Sequence, residues 1–212
     1  MTWINKLANS QIPYYIYKLN KGDQIIYNYN TYYNNIIIIL YGTIYFIKAI
    51  HRKQIFPLAI LKTNNIINLK KFCINIKYSY KLIACETTYL VSFSLINTKN
   101  IKKDILFNII SSQNLTLNNY AMMNEILKHK YIKHRIIQMI LLLSLKFGHI
   151  NNQEIIIPFS LSQKDLANLL GSNKTTINKI INELCKKMFI QYSSKKIIQV
   201  KNLSALNSIL FY

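Results

Sequence analysis

The sequence predicts an α+β fold: an N-terminal β jelly roll, a long helix suited to dimerisation, and a C-terminal winged helix-turn-helix. Three observations carry that expectation. Residues 16–95 are short β-branched and aromatic runs broken by turns. A seven-residue apolar series runs from Leu115 to Leu143. Two short helical patterns near the C-terminus are joined by Gly171. The parts are expected at 1–110, 111–147 and 148–212.

The runs Ile36–Leu40, Thr43–Ile47, Leu58–Leu61 and Tyr89–Phe93 hold residue types that fit a pleated, half-buried surface. Lys21-Gly22-Asp23 and Tyr41-Gly42-Thr43 supply turn chemistry between runs. Many short strands at close spacing suit a sandwich or jelly roll. From about Ile101 the pattern turns helical and continues to Phe147, where Gly148 is expected to stop it as a C′ residue. Leu115, Met122, His129, Ile136 and Leu143 keep a strict seven-residue step. Such a series marks either a core-facing helix or a dimeric coiled coil.

The last segment is the most specific. Ser162 is a good N-cap for a helix over Gln163–Leu170, in which Leu166, Leu169 and Leu170 are apolar. Gly171-Ser172-Asn173 makes a tight turn. Lys174–Met188 forms a second helix, with Ile177, Ile181, Leu184 and Met188 at helical spacing. Ile190–Tyr192 and Ile197–Val200, separated by Ser193-Ser194-Lys195-Lys196, read as a hairpin wing. On the second helix, Lys174, Thr175, Asn178, Lys179 and Asn182 share the face opposite the apolar one. That face is cationic, polar and free of acids, as a helix entering a DNA major groove requires.

Composition narrows the function classes. Isoleucine (40), asparagine (26), lysine (25) and tyrosine (16) make up about half of 212 residues, a bias that points to an AT-rich genome. The 27 Lys+Arg against 7 Asp+Glu give a net charge of +20, which favours a polyanionic partner. The longest apolar runs, within Ile36–Ile47 and Ile136–Leu145, fall short of the roughly 20 residues that span a bilayer, and the first residues lack the apolar core of a signal peptide. No membrane partner is expected. Cys73, Cys85 and Cys185 have no paired spacing, and His51, His129, His134 and His149 are scattered, so no metal site is expected. An enzyme is not expected either: there is no Ser/His/Asp arrangement and no phosphate loop. Asp23, Asp104, Glu154 and Asp165 all fall at turns or helix starts.

The stretch Leu161-Ser162-Gln163-Lys164-Asp165-Leu166-Ala167-Asn168-Leu169-Leu170-Gly171-Ser172-Asn173-Lys174-Thr175-Thr176-Ile177-Asn178-Lys179 resembles the DNA-binding signature of the cyclic-AMP receptor protein and fumarate–nitrate regulator (Crp-Fnr) family. That signature is a small hydroxyl residue, then D/E-L/I-A/G, then G-[ST]-x-R-x-T-V-x-R-x-L. The resemblance extends through Met122–Leu127, Lys146-Phe147-Gly148 and the glycine turns of the β-region. Along the long helix it is similar to the global nitrogen regulator of cyanobacteria and red-algal plastids. It implies a transcriptional activator that binds double-stranded DNA as a homodimer and contacts RNA polymerase, located in an algal plastid stroma or, alternatively, in the cytoplasm of a low-GC bacterium. The implied DNA-binding residues are Ser162, Gln163, Ser172, Asn173, Lys174, Thr175, Thr176, Asn178 and Lys179. The family's base-reading arginines fall on Lys174 and Lys179, with a recognition helix over 174–187.

The effector positions depart from the family. Cyclic-nucleotide binders carry Gly-Glu and Arg-Ser where this chain aligns Asn68-Leu69 and Tyr78-Ser79. Nitrogen regulators hold 2-oxoglutarate with charged residues at positions that are Tyr78, Thr116 and Ala121 here. Without those charge-assisted partners neither cyclic AMP nor 2-oxoglutarate is expected as a ligand, and the N-terminal domain reads as a cyclic-nucleotide-binding-like barrel with a degenerate site. Lys70, Lys71, Lys77 and Lys81 are candidates for a substitute anion site. The oxygen-sensing branch uses N-terminal cysteines, and none precedes Cys73. Two other functions fit less of the chain: an effector-less architectural DNA-binding paralogue, and a plasmid replication initiator, which would need a second winged domain in place of the β-rich half.

Overall fold

The computed structural model describes residues 3–28, 35–50, 54–68, 78–95 and 102–211. They form two compact units, Met1–Met123 and Asn124–Tyr212.

In the first unit a short helix, α1 (Trp3–Ala8), precedes eight strands: β1 (Tyr14–Leu19), β2 (Gln24–Asn28), β3 (Asn35–Tyr41), β4 (Thr43–Ile50), β5 (Gln54–Lys62), β6 (Ile66–Asn68), β7 (Tyr78–Ala84) and β8 (Thr88–Ser94). They make two antiparallel sheets, ordered β1-β8-β3-β6 and β2-β7-β4-β5. First pairs with last, second with seventh, third with sixth and fourth with fifth. That nested pairing is a jelly roll, as the short runs predict.

Strand β3 explains why its sequence is an unbroken isoleucine run. Ile37 and Ile39 pack with Phe46, Leu61 and Leu82 in a core drawn from both sheets. Ile36 and Ile38, on the opposite face, join Trp3 and Leu7 of α1 in a second core. Side chains alternate along a strand, so a strand covered on both faces is apolar at every position. The short helix α1 carries no strong sequence signal.

Helix α2 (Lys103–Lys128) closes the second core with Ile105. It is also tied to strand β6: the Thr116 hydroxyl lies 2.9 Å from both the Ile66 N–H, from which it accepts, and the Ile66 carbonyl. Tyr120 packs beside Phe46 with ring centroids 6.0 Å apart, and burial pushes its phenol pKa well above the ordinary value.

The expectation of one helix running to Phe147 is corrected here. Helix α2 ends at Lys128, and α3 (Ile132–Phe147) starts after an interruption in which Tyr131 is extended, φ −93° and ψ 127°. The seven-residue series therefore splits between two helices. Leu115 and Met122 are exposed on α2, 48% and 38%, whereas Ile136 and Leu143 are completely buried on α3. The same period therefore marks an exposed side of α2 and the buried face of α3, and two successive helices can keep one phase across a short break.

In the second unit, α3 is followed by a hairpin, β9 (His149–Asn151) and β10 (Glu154–Ile156), then α4 (Gln163–Leu170), α5 (Lys174–Lys186), β11 (Ile190–Tyr192), β12 (Ile198–Val200) and α6 (Leu203–Ser208). The sheet runs β11-β12-β10-β9. Helix α3 contacts α4, α5 and α6, and the fully buried residues include Ile140, Leu143, Leu166, Leu170, Ile177, Ile181 and Leu206. Gly148 does end α3, but with extended backbone, φ −64° and ψ 146°. It must be glycine for lack of room: a Cβ there would lie 2.3 Å from the Ser144 carbonyl oxygen and 2.4 Å from Ile155 Cγ2.

Candidate nucleic-acid interface

Each end of the helix-turn-helix is set by a local hydrogen bond. Ser162 caps α4 by accepting from the Asp165 N–H at 3.1 Å, while the Asp165 carboxylate accepts from the Ser162 N–H at 2.9 Å. This reciprocal pair is a capping box. Gly171 closes α4 in the left-handed region, φ 63°, where glycine carries no Cβ penalty. Asn173 then caps α5, its Oδ1 accepting from the Thr176 N–H at 2.8 Å.

Helix α5 buries Ile177, Ile181 and Leu184 and exposes Lys174, Thr175, Asn178, Lys179 and Asn182. The expected reading face is therefore a single accessible face. Gln163, at the start of α4, reaches across to it: its Nε2 donates to Asn178 Oδ1 at 2.9 Å. Ser172 and Thr176 are half-buried, and Ser162, Asn173 and Thr176 have clear structural duties as caps or cap partners. The acid of α5, Glu183, pairs with Lys133 of α3 at 2.8 Å and with Lys187 at 3.2 Å. The Lys133 hydrogen bond, then that of Lys187, holds its carboxyl below the ordinary value.

The wing is pinned to the start of α4. The Leu161 N–H donates to the Lys196 carbonyl at 2.8 Å, and the Tyr192 hydroxyl donates to the Leu161 carbonyl at 2.7 Å. Burial, followed by the charge of Asp165, raises the Tyr192 pKa, so the phenol keeps the proton it donates. Between the wing and the starts of α4 and α5 lies an open groove of about 600 Å³. It brings together Ser162, Gln163 and Lys174 from the expected set with Lys164, Ser194 and Lys196, which were not in it. For Ser194 and Lys196 the signal is the wing itself, whereas Lys164 follows Gln163 on α4. A hairpin docked beside the recognition helix places its turn residues in the same groove.

At the effector positions, Thr116 is buried and spends its hydroxyl on the Ile66 backbone, Ala121 is exposed, and Tyr78 lies under the Lys48 ammonium, 3.6 Å from its ring centroid. Asn68 and Lys81 are half-buried; Leu69, Lys70, Lys71 and Lys77 lie outside the described residues. No group of three or more His, Cys, Asp or Glu among the described residues is placed to hold a metal ion.

Residues 134–209 match the profile of the Crp-like helix-turn-helix domain. The second unit thus carries a Crp-like helix-turn-helix domain. Over 202 residues the chain is 27% identical to a provisionally named HTH-type transcriptional regulator, ycf28, of Porphyra purpurea, covering 92% of this chain and 82% of that one. Among solved structures it is similar to a CooA mutant from Carboxydothermus hydrogenoformans, with TM-score 0.73, 18% identity and 93% and 88% of the two chains covered. A CRP-family regulator from Thermus thermophilus gives TM-score 0.76 at 12% identity, over 92% of this chain and 97% of that one. These structural likenesses show the fold, jelly roll and winged helix-turn-helix alike. No helix among the described residues is long and apolar enough to cross a membrane.

Proposed function

We propose that this protein is a regulator of the Crp family, a sequence-specific transcriptional activator that reads DNA as a homodimer. The observation that carries the reading is the α5 face. Lys174, Thr175, Asn178 and Lys179 are exposed together, over a buried apolar face, at the start of a helix whose acid is already paired. Lys179 and Lys174 donate to base edges; Thr175 is the variable reader between them. Ser162, Gln163, Ser172, Asn173 and Thr176 line the approach and offer phosphate contacts, to which the groove adds Lys164 and Lys196.

The dimer reading is supported by α2. Phe107, Leu115 and Met122 lie on one side of the helix and are 73%, 48% and 38% exposed. A parallel pair of α2 helices covers that side and sets two recognition helices one DNA turn apart. The resemblance along the long helix supports a role in nitrogen control, with contact to RNA polymerase at target promoters. The ycf28 relative from Porphyra purpurea supports a plastid stroma as the compartment. Neither cyclic AMP nor 2-oxoglutarate is the ligand on this reading, because no charged side chain stands at Asn68, Tyr78, Thr116 or Ala121 to meet an anion. The test is a footprint of the purified protein on its own genome, with light scattering. Protection of paired half-sites by a dimer is expected; a monomer covering single, sequence-independent sites overturns the reading.

A further inference from the structure

We propose that Arg135 is a positioning residue that ties the helix-turn-helix to the segment just after α2, and so sets the spacing at which paired recognition helices meet DNA. This rests on the dimeric reading above. Its guanidinium makes two hydrogen bonds to two different helix ends. Nε donates to the His129 carbonyl, just beyond α2, at 2.8 Å, and Nη1 donates to the Leu170 carbonyl, the last residue of α4, at 3.0 Å. Next in the chain is Gly171, the left-handed residue of the turn into α5; a Cβ there would sit 3.6 Å from the same Nη1.

Three physical points make this a built contact. Carbonyls at helix C-termini lack intrahelical partners and carry the negative end of the helix dipole, so a cation is favoured there. Arg135 stands near the start of α3, beside Lys133 and His134 and with no acid in the first turn, where a cation is disfavoured by α3 itself. Its charge is thus compensated by the ends of α2 and α4. Finally, 25 of the 27 basic side chains are lysines, yet a lysine ammonium is a single point charge, while the planar guanidinium presents separate donors in fixed directions. Holding two carbonyls on two elements calls for the fork. The half-buried side chain is the strut between the segment that follows α2 and the end of α4.

The experiment uses full-length wild type, Arg135→Lys and Arg135→Met on three kinds of duplex: one carrying both half-sites of the wild-type footprint, one carrying a single half-site, and variants with the half-sites moved apart by about one to three base pairs. Fixed spacing makes binding of the second half-site effectively intramolecular, so loosening it should cost about tenfold on the paired duplex and little on the single one. Both variants should also lose the wild type's sharp preference for one spacing. Circular dichroism reports folding, and should R135M unfold, R135K, which keeps the charge and most of the volume, carries the test. A folded variant with the wild-type spacing profile overturns the proposal, as do equal losses on single and paired duplexes. A wild-type chain with no preference for paired half-sites overturns the dimeric reading itself, and the proposal with it.

Discussion

Gln163 and Asn178 are joined by a 2.9 Å hydrogen bond that spans the two helices of the helix-turn-helix on its exposed side. The bond leaves the Asn178 amide nitrogen free of this contact and turns its carbonyl toward α4. Gln163→Ala should release that amide and weaken operator binding by about 1 kcal/mol, the net value of one such bond. Melting temperature should barely move, because both side chains sit at the surface. Titration of operator DNA with the variant, beside a melting curve, checks both halves of this expectation.

Lys179→Ala should cost roughly 1–3 kcal/mol on the operator and much less on random DNA, because base contacts carry discrimination. Lys196→Ala, on the wing, should weaken both and reduce the salt slope by about one unit, as loss of a phosphate contact does. Equal losses on the two DNAs for Lys179→Ala would remove Lys179 from the reading set.

Ser162→Ala removes the hydroxyl half of the capping box and should lower stability by about 1 kcal/mol. Ser162→Asp keeps an acceptor for the Asp165 N–H but sets a second carboxylate beside the first. It should recover less than the full loss in chemical denaturation, and recover more as ionic strength rises.

Gly148→Ala should destabilise the second unit by about 1–3 kcal/mol, because the added methyl meets the Ser144 carbonyl and the Ile155 side chain. The backbone there is extended, so the loss comes from crowding. Ile155→Ala should therefore partly rescue Gly148→Ala in a double-mutant cycle, though the Ser144 carbonyl still crowds the new methyl.

The Glu183 pair predicts a pH dependence. Its carboxyl pKa is lowered in the folded chain, so the contribution is present above the ordinary value of 4.5 and is lost as pH falls through the folded value. Glu183→Gln should flatten the acid limb of the stability curve and leave the neutral range nearly unchanged, since these ion pairs are substantially exposed. Thermal melts across acidic buffers read this directly.

The helix-turn-helix was legible because its signals are local. Ser162, Gly171 and the apolar spacing of Ile177, Ile181 and Leu184 each act within a turn or two of the chain. The wing was legible for the same reason. Less visible were features whose cause is distant in sequence. The break at His129–Tyr131 leaves the apolar period intact, so nothing in the pattern marks it. Hairpin β9–β10 turns on Asn152 and Gln153, both with positive φ, without the glycine that usually announces such a turn. The tie between Thr116 and Ile66 joins residues 50 positions apart and has no sequence signature. Lys164 and Lys196 were missed as groove residues because their proximity arises from the docking of Tyr192 on Leu161.

The order of pairing in the sheet of the second unit constrains how the protein is made. Strand β12 lies between β11 and β10, taking Ile190–Tyr192 on one side and Ile155–Ile156 on the other. As the chain leaves the ribosome, both helices of the helix-turn-helix and the other three strands of the sheet, β9, β10 and β11, emerge before Ile198–Val200 is available to join them. The sheet closes only once Ile198–Val200 has been translated. A message cut short before the codon for Ile198 would yield a chain with α5 and no wing to hold the groove, a product better suited to proteolytic clearance than to occupying promoters.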